Sequence, residues 1–196
     1  MNELLTIQQE ASAKLNIQRS QFYSHVFEVN SVQQAKEKIK AFSKSYNNAT
    51  HVCWALRVIE KDLIELYSDG GEPSASAGFP ILTVLRENNL VNLCCVVARY
   101  FGGVKLGIRG LIDAYSQATR LALKNTKIVK VVKLFEHIFV CRHDQIGELV
   151  SMIKKHGGKI EKIEQAEQSM VTIRALISQR IDGFCPQVSE KLVKVL

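Results

Sequence analysis

The sequence predicts an α+β protein in two parts, and three observations carry that reading. Val91 to Ala98 (VNLCCVVA) is a short, uncharged, apolar run set between two glycine-containing turns, and each turn leads into a helical pattern. The chain then changes character near Asn125 to Lys133. After that point it runs strand, helix, strand, strand, helix, strand. A domain boundary is therefore placed near Lys130, giving parts 1–130 and 131–196.

Taken in order, Leu4 to Ala13 is weakly patterned and reads as an entry strand or a frayed lead. Ser20 to Val29 alternates Phe22, Ser24, Val26, Glu28 against Tyr23, His25, Phe27, Val29 and reads as a strand, with His25 a surface or satisfied side chain. Ser31-Val32-Gln33-Gln34 has the capping-box pattern, and Val32, Ala35, Ile39 and Phe42 continue a helix to about Ser45. His51 to Ile59 and Leu63 to Tyr67, joined across Glu60-Lys61-Asp62, form a hairpin. A polar loop, Ser68 to Ser74, precedes a helix from about Ser76 to Asn88, with Ser74 and Ser76 as candidate caps and Pro80 tolerated near the first turn.

Val91 to Ala98 is rich in β-branched and small apolar residues, so it is expected to be covered on both faces. Arg99 and Tyr100 end it, and Phe101 to Gly110 (FGGVKLGIRG) turns the chain into a helix carried by Leu111, Ala114, Tyr115, Ala118, Leu121 and Ala122. In the second part Leu134 to Val140 reads as a strand. Asp144 to Lys155 reads as a helix capped by Asp144 and ended by Gly157-Gly158, and Ile160 to Glu164 with Met170 to Ile177 as a strand pair. A last helix at about Arg180 to Ser189 leads to Lys191 to Leu196. That order is the ferredoxin-like unit.

The glycines of the central turn have two readings. Gly102, Gly103 and Gly107 let the backbone approach a ligand, and amides at a helix start attract anions, so the loop is a candidate phosphate or carboxylate site together with Arg99, Lys105 and Arg109. The plainer reading is a tight crossover. Neither nucleotide motif is present: Lys105 is followed by Leu106 rather than Ser or Thr, and the glycine spacing is not G-x-G-x-x-G. Asp69, Glu72 and His51 are candidate catalytic acid/base groups, against the alternative of helix capping and an ion pair with Arg99 or Lys105. No serine-elbow pattern, metal-ligand spacing or cofactor fingerprint is found.

Two longer segments, GEPSASAGFPIL at Gly71 to Leu82 and VVARYFGGVKLGIRGL at Val96 to Leu111, resemble the signatures of the YigZ/IMPACT family (UPF0029). QRSQF at Gln18 to Phe22 and ATHVCWA at Ala49 to Ala55 match its two upstream segments in order and spacing. The chain departs from the family pattern where GEPSGTAG becomes Ala75-Ser76 and where LGTGGL becomes Ile108-Arg109. The resemblance implies a ribosomal protein S5 domain 2-like N-terminal domain followed by a ferredoxin-like C-terminal domain. It also implies a role in translational control, in which eukaryotic members oppose activation of the amino-acid-starvation kinase by binding its ribosome-associated activator. This chain shows no extra interaction domain of the kind those members carry at the amino terminus, so that partner is not expected.

Composition narrows the setting. The 196 residues are 46% hydrophobic, enough for ordinary cores, with no run approaching the roughly 18 apolar residues of a membrane span. The start, MNELLTIQQEASAKL, lacks a basic region followed by an apolar one, so no export signal is expected. Five scattered cysteines fit reduced thiols and a cytoplasmic location. Of the net charge of +7, residues 1–130 carry 16 Lys/Arg against 11 Asp/Glu, an excess of +5. Arg120, Lys124, Lys127, Lys130 and Lys133 form a basic stripe without an acidic residue. The expectation is a cytoplasmic protein that docks RNA or a ribosome through Arg99, Lys105, Arg109 and that stripe, with Tyr100 or Phe101 stacking on a base unless packed in the core. The alternatives are an enzyme acting on a small anionic substrate at the glycine-rich turn, and a regulator that binds a protein partner.

Overall fold

The computed structural model describes residues 3–166, 169–179, 181 and 187–195. The chain divides into two compact units, one up to Lys130 and one from Val131. Each is mixed α/β and built on antiparallel pairing.

In the first unit a five-stranded sheet has the order β2-β3-β6-β4-β5, formed by β2 (Ala11–Ile17), β3 (Ser20–Glu28), β4 (His51–Ile59), β5 (Leu63–Ser68) and β6 (Leu93–Tyr100). Three helices cover it: α1 (Val32–Ser45), α2 (Gly78–Glu87) and α3 (Gly107–Lys124). The short β1 (Leu5–Ile7) pairs with the first three residues of β7 (Ile128–Arg142).

β6 is central, and its two side-chain rows enter different cores, as the uncharged run Val91 to Ala98 predicts. Cys95 and Val97 pack with Phe22, Val26, Cys53 and Ala55 beneath α2 and α3, while Cys94, Val96 and Ala98 pack with Phe27, Leu56, Val58 and Phe42 of α1. The predicted stripe of α3 is buried at Leu111, Ala114, Tyr115, Ala118 and Ala122. The Tyr115 ring meets Phe22 edge-on at 5.3 Å, a pairing worth about 1 kcal/mol beyond its buried area.

Ser31 caps α1 by accepting the Gln34 N–H at 3.1 Å, but the Gln34 side-chain Oε1 accepts from Asn30 N–H, one residue before the position that the capping box requires. α2 begins at Gly78 and takes no cap from Ser74 or Ser76. The Ser76 hydroxyl instead donates to Pro73 O at 2.6 Å.

In the second unit β7 pairs with β9 (Met170–Ile177), β9 with β8 (Lys159–Gln165), and β10 (Gln187–Val195) with β7. α4 (Ile146–Lys155) buries Ile153 against Phe139, Ile173 and Ala175. It ends as predicted: Gly157 takes φ +67, and the Gly158 N–H closes on Ile153 O at 2.8 Å. Asp144 is no helix cap, because it lies inside a short 3-10 turn, His143–Gln145, that precedes α4. Of the predicted last helix, Gln187 to Ser189 are strand, and residues 180 and 182–186 lie outside the described residues.

Candidate functional site

β4 lies antiparallel to β6 with His51 opposite Arg99 in register. The loop after β5 crosses the same sheet end, and α3 starts beside it. These segments enclose a cleft of about 360 Å³, lined by Thr50, His51, Glu72, Arg99, Phe101 and Lys105 together with the first residues of α3.

The loop is held from below by Asp69. Its carboxylate accepts the N–H groups of Ala75 at 2.9 Å, Ala77 at 3.0 Å and Gly78 at 2.8 Å, so it caps α2 and is withdrawn from any acid/base group. Gly70 has φ +56, and a Cβ there would lie 2.1 Å from Val52 O. Ala75 also sits in the left-handed region, at φ +58.

Glu72 is the hub of the cleft floor, with its side chain only 4% exposed. Its Oε1 accepts from Arg99 Nη1 at 2.7 Å and from the Tyr115 hydroxyl at 2.9 Å, while Oε2 lies 3.9 Å from His51 Nε2. The second Arg99 terminus donates to Ser20 Oγ at 3.4 Å. The Cys53 thiol donates to Asp69 O at 2.9 Å. Burial pushes that thiol up to about 12 and raises the Tyr115 hydroxyl strongly as well, so both are neutral hydrogen-bonding groups and neither is a nucleophile at neutral pH. His51 Nδ1 lies 3.0 Å from Gly70 O. A carbonyl only accepts, so Nδ1 carries a proton and Nε2 is the ring nitrogen left facing the cleft.

Arg99 therefore differs from the outward phosphate contact expected of it: its guanidinium is turned inward and neutralised by Glu72. The ion pair offered as the alternative role of Glu72 is the one present. Lys105 and Arg109 are exposed and have no carboxylate within ion-pair distance among the described residues. Phe101 is 45% exposed with the Arg99 guanidinium carbon 5.4 Å from its ring centre, so it is no core residue. Tyr100 is half-buried against Tyr23. The glycines divide by role. Gly102 is a packing residue, since a Cβ there would lie 2.1 Å from the Arg19 backbone, whereas Gly103 (φ +83) and Gly107 (φ +70) face open space and supply the turn.

The basic stripe is broken by ion pairs of Arg120 with Glu87 at 3.0 Å, Lys130 with Glu3 at 2.6 Å and Lys133 with Glu190 at 2.6 Å. Lys124 and Lys127 remain exposed. Among the described residues no group of three His, Cys, Asp or Glu side chains is arranged to hold a metal ion.

The network members that sequence reasoning missed are Tyr115, Cys53, Ser20 and Thr50, whose Oγ1 accepts the Phe101 N–H at 3.0 Å. The one available signal was a tyrosine, not a phenylalanine, on a buried helix stripe.

Comparison with known proteins adds a family. The Impact N-terminal domain model matches residues 18–123. IMPACT family member YvyE of Bacillus subtilis (strain 168) is 38% identical over 130 residues, which cover 66% of this chain and 60% of that protein's length. IMPACT family member YigZ of Escherichia coli (strain K12) is 27% identical over 177 residues, 89% of this chain and 86% of that protein. A crystal structure described as that of a hypothetical protein superposes with a TM-score of 0.68 at 26% identity, covering 90% of this chain and 86% of the other.

Proposed function

The chain belongs to the IMPACT family, and from that premise we propose that it is a regulatory binding protein of translation that docks RNA or a ribonucleoprotein at the start of α3. The observation that carries this reading is the rim of the cleft. Lys105 and Arg109 stand exposed without acidic partners among the described residues, on either side of the helix start, next to the exposed ring of Phe101. Uncompensated cations at a helix N-terminus attract phosphates, and an exposed aromatic ring offers a stacking surface to an unpaired base. Arg99 acts beneath this rim, fixing the Glu72 loop and lying under Phe101, and makes no phosphate contact of its own. Lys124 and Lys127 extend the cationic surface along the end of α3.

We read the first unit as the S5 domain 2-like domain. The second is read as the ferredoxin-like one, for which the order β10-β7-β9-β8 is the support. The cytoplasm is the proposed setting, in keeping with the four cysteines among the described residues, which are buried and free.

Co-sedimentation with ribosomes across a salt series tests the reading. Binding by the parent protein is expected to fall steeply as salt rises, and the Lys105→Ala/Arg109→Ala variant to bind weakly throughout. A protein partner is the second reading, favoured by exposed Val104, Ile108 and Ile112 on the same helix start. Salt-insensitive binding that Ile108→Asp abolishes would favour it over RNA.

A further inference from the structure

Below the rim, the cleft floor has a chemistry that docking of a polyanion does not use. Arg99 is 4% exposed, and although both terminal nitrogens of its guanidinium are engaged, its buried Nε–H has no acceptor among the described residues. A buried donor without a partner is uncommon, because its desolvation is uncompensated. Beside it His51 Nε2 makes no hydrogen bond among the described residues, with Glu72 Oε2 at 3.9 Å. α3 begins at Gly107 with Leu106 as its N-cap and no side chain accepting its first amides. Arg99 and Glu72 cancel in charge. Lys105 and the positive end of α3 are then the uncompensated charges of the cleft.

The remaining wall is apolar: Pro73, Phe101, Leu106, Ile108 and Leu111. A volume of about 360 Å³ lies at the small end of ligand pockets, which run from about 300 to 1,000 Å³.

We infer that this cleft is a binding site for a small molecule with one anionic head and a short apolar or aromatic body. The head sits on the uncapped amides at Gly107 and Ile108, within reach of Lys105. The body lies along Phe101, Ile108 and Leu111. Glu72 repels no such head, because Arg99 and Tyr115 share its charge between them. A phosphomonoester and a carboxylate both offer an anionic head, of about −1.5 to −2 and about −1 charge at neutral pH. They differ further in that a singly charged phosphate keeps one O–H, which it can donate to His51 Nε2 when the ring is neutral. The inference goes beyond the docking of RNA, shares only Lys105, Phe101 and the helix start with it, and stands or falls separately.

The test is a titration of the full chain with phenyl phosphate, benzoate and phenol, followed by the amide resonances of Gly107 and Ile108 and the His51 ring. Saturable shifts at those positions are expected with an anion, about tenfold weaker binding with phenol, and about tenfold weaker anion binding in Lys105→Ala. Tighter binding of phenyl phosphate with movement of the His51 ring identifies the head as phosphate; tighter binding of benzoate identifies it as carboxylate. No saturable shift with either anion, or phenol binding as tightly as both, overturns the inference. RNA association of Arg109→Ala, which removes a cation that only the docking uses, is measured in parallel, so the two failures are distinguishable.

Discussion

The Arg99 guanidinium and the Glu72 carboxylate meet at 2.7 Å with 5% and 4% of their side chains exposed, joining the end of the central strand to the loop that supplies the cleft floor. A buried pair of this kind is costly to break, because the surviving charge stays desolvated. Glu72→Ala is expected to lower the stability to urea by about 3–5 kcal/mol. Replacing the whole set, in Arg99→Met/Glu72→Leu/Tyr115→Phe, is expected to recover most of that loss. A Glu72→Ala variant as stable as the parent would show that the pair is not buried in solution.

Asp69 accepts three backbone amides at the start of α2. Removing a cap costs about 0.5–2 kcal/mol, and a charged cap with several donors belongs at the top of that range. Asp69→Ala is expected to lose about 2 kcal/mol in thermal or denaturant unfolding, and Asp69→Asn less.

Backbone conformation at two positions predicts opposite effects of similar exchanges. Ala75 holds φ +58, which costs an L-residue roughly 1–2 kcal/mol and glycine nothing, so Ala75→Gly is expected to stabilise by about 1 kcal/mol. Gly102→Ala would place a methyl 2.1 Å from the Arg19 backbone and is expected to destabilise by about 3 kcal/mol. Denaturant midpoints for both variants measure the contrast.

Glu65 links β5 to two arginines, and hydrogen bonds from Arg86 first, then Arg57, hold its carboxyl below the usual 4.5 against the opposing effect of burial. A depressed folded value means that the unfolded chain takes up the proton first. The stabilisation is therefore complete above about pH 4.5 and is lost as pH falls through the lower folded value. Comparing Glu65→Gln with the parent, the stability difference is expected to shrink on acidification below that point. A difference that stays constant would show that the carboxylate makes no net contribution.

Local patterns made much of the first unit legible. Alternation marked β3, the Glu60-Lys61-Asp62 turn marked the β4–β5 hairpin, and the uncharged run marked β6 as covered on both faces. The first turn of α3 was missed because Ile108 and Arg109 face outward, so no buried residue marks the helix before Leu111. The full length of β7 was missed for the opposite reason. Lys127, Lys130 and Lys133 drew the eye to charge, while Val129 and Val131 were the buried row of a strand. At the site, the residue types were visible but their meeting was not. His51 faces Arg99 only because β4 pairs with β6 out of chain order, and that pairing also turned Arg99 towards Glu72. A charge at the end of an apolar strand looks the same in sequence whether it is free or paired.

The direct measurement of the docking account is the affinity for a labelled single-stranded RNA as a function of salt. Each phosphate contact contributes about 0.7 to the slope of log affinity against log salt. The slope is expected to fall by about 1.4 in Lys105→Ala/Arg109→Ala, with Arg99 left in place. An unchanged slope and affinity in that variant would contradict the account.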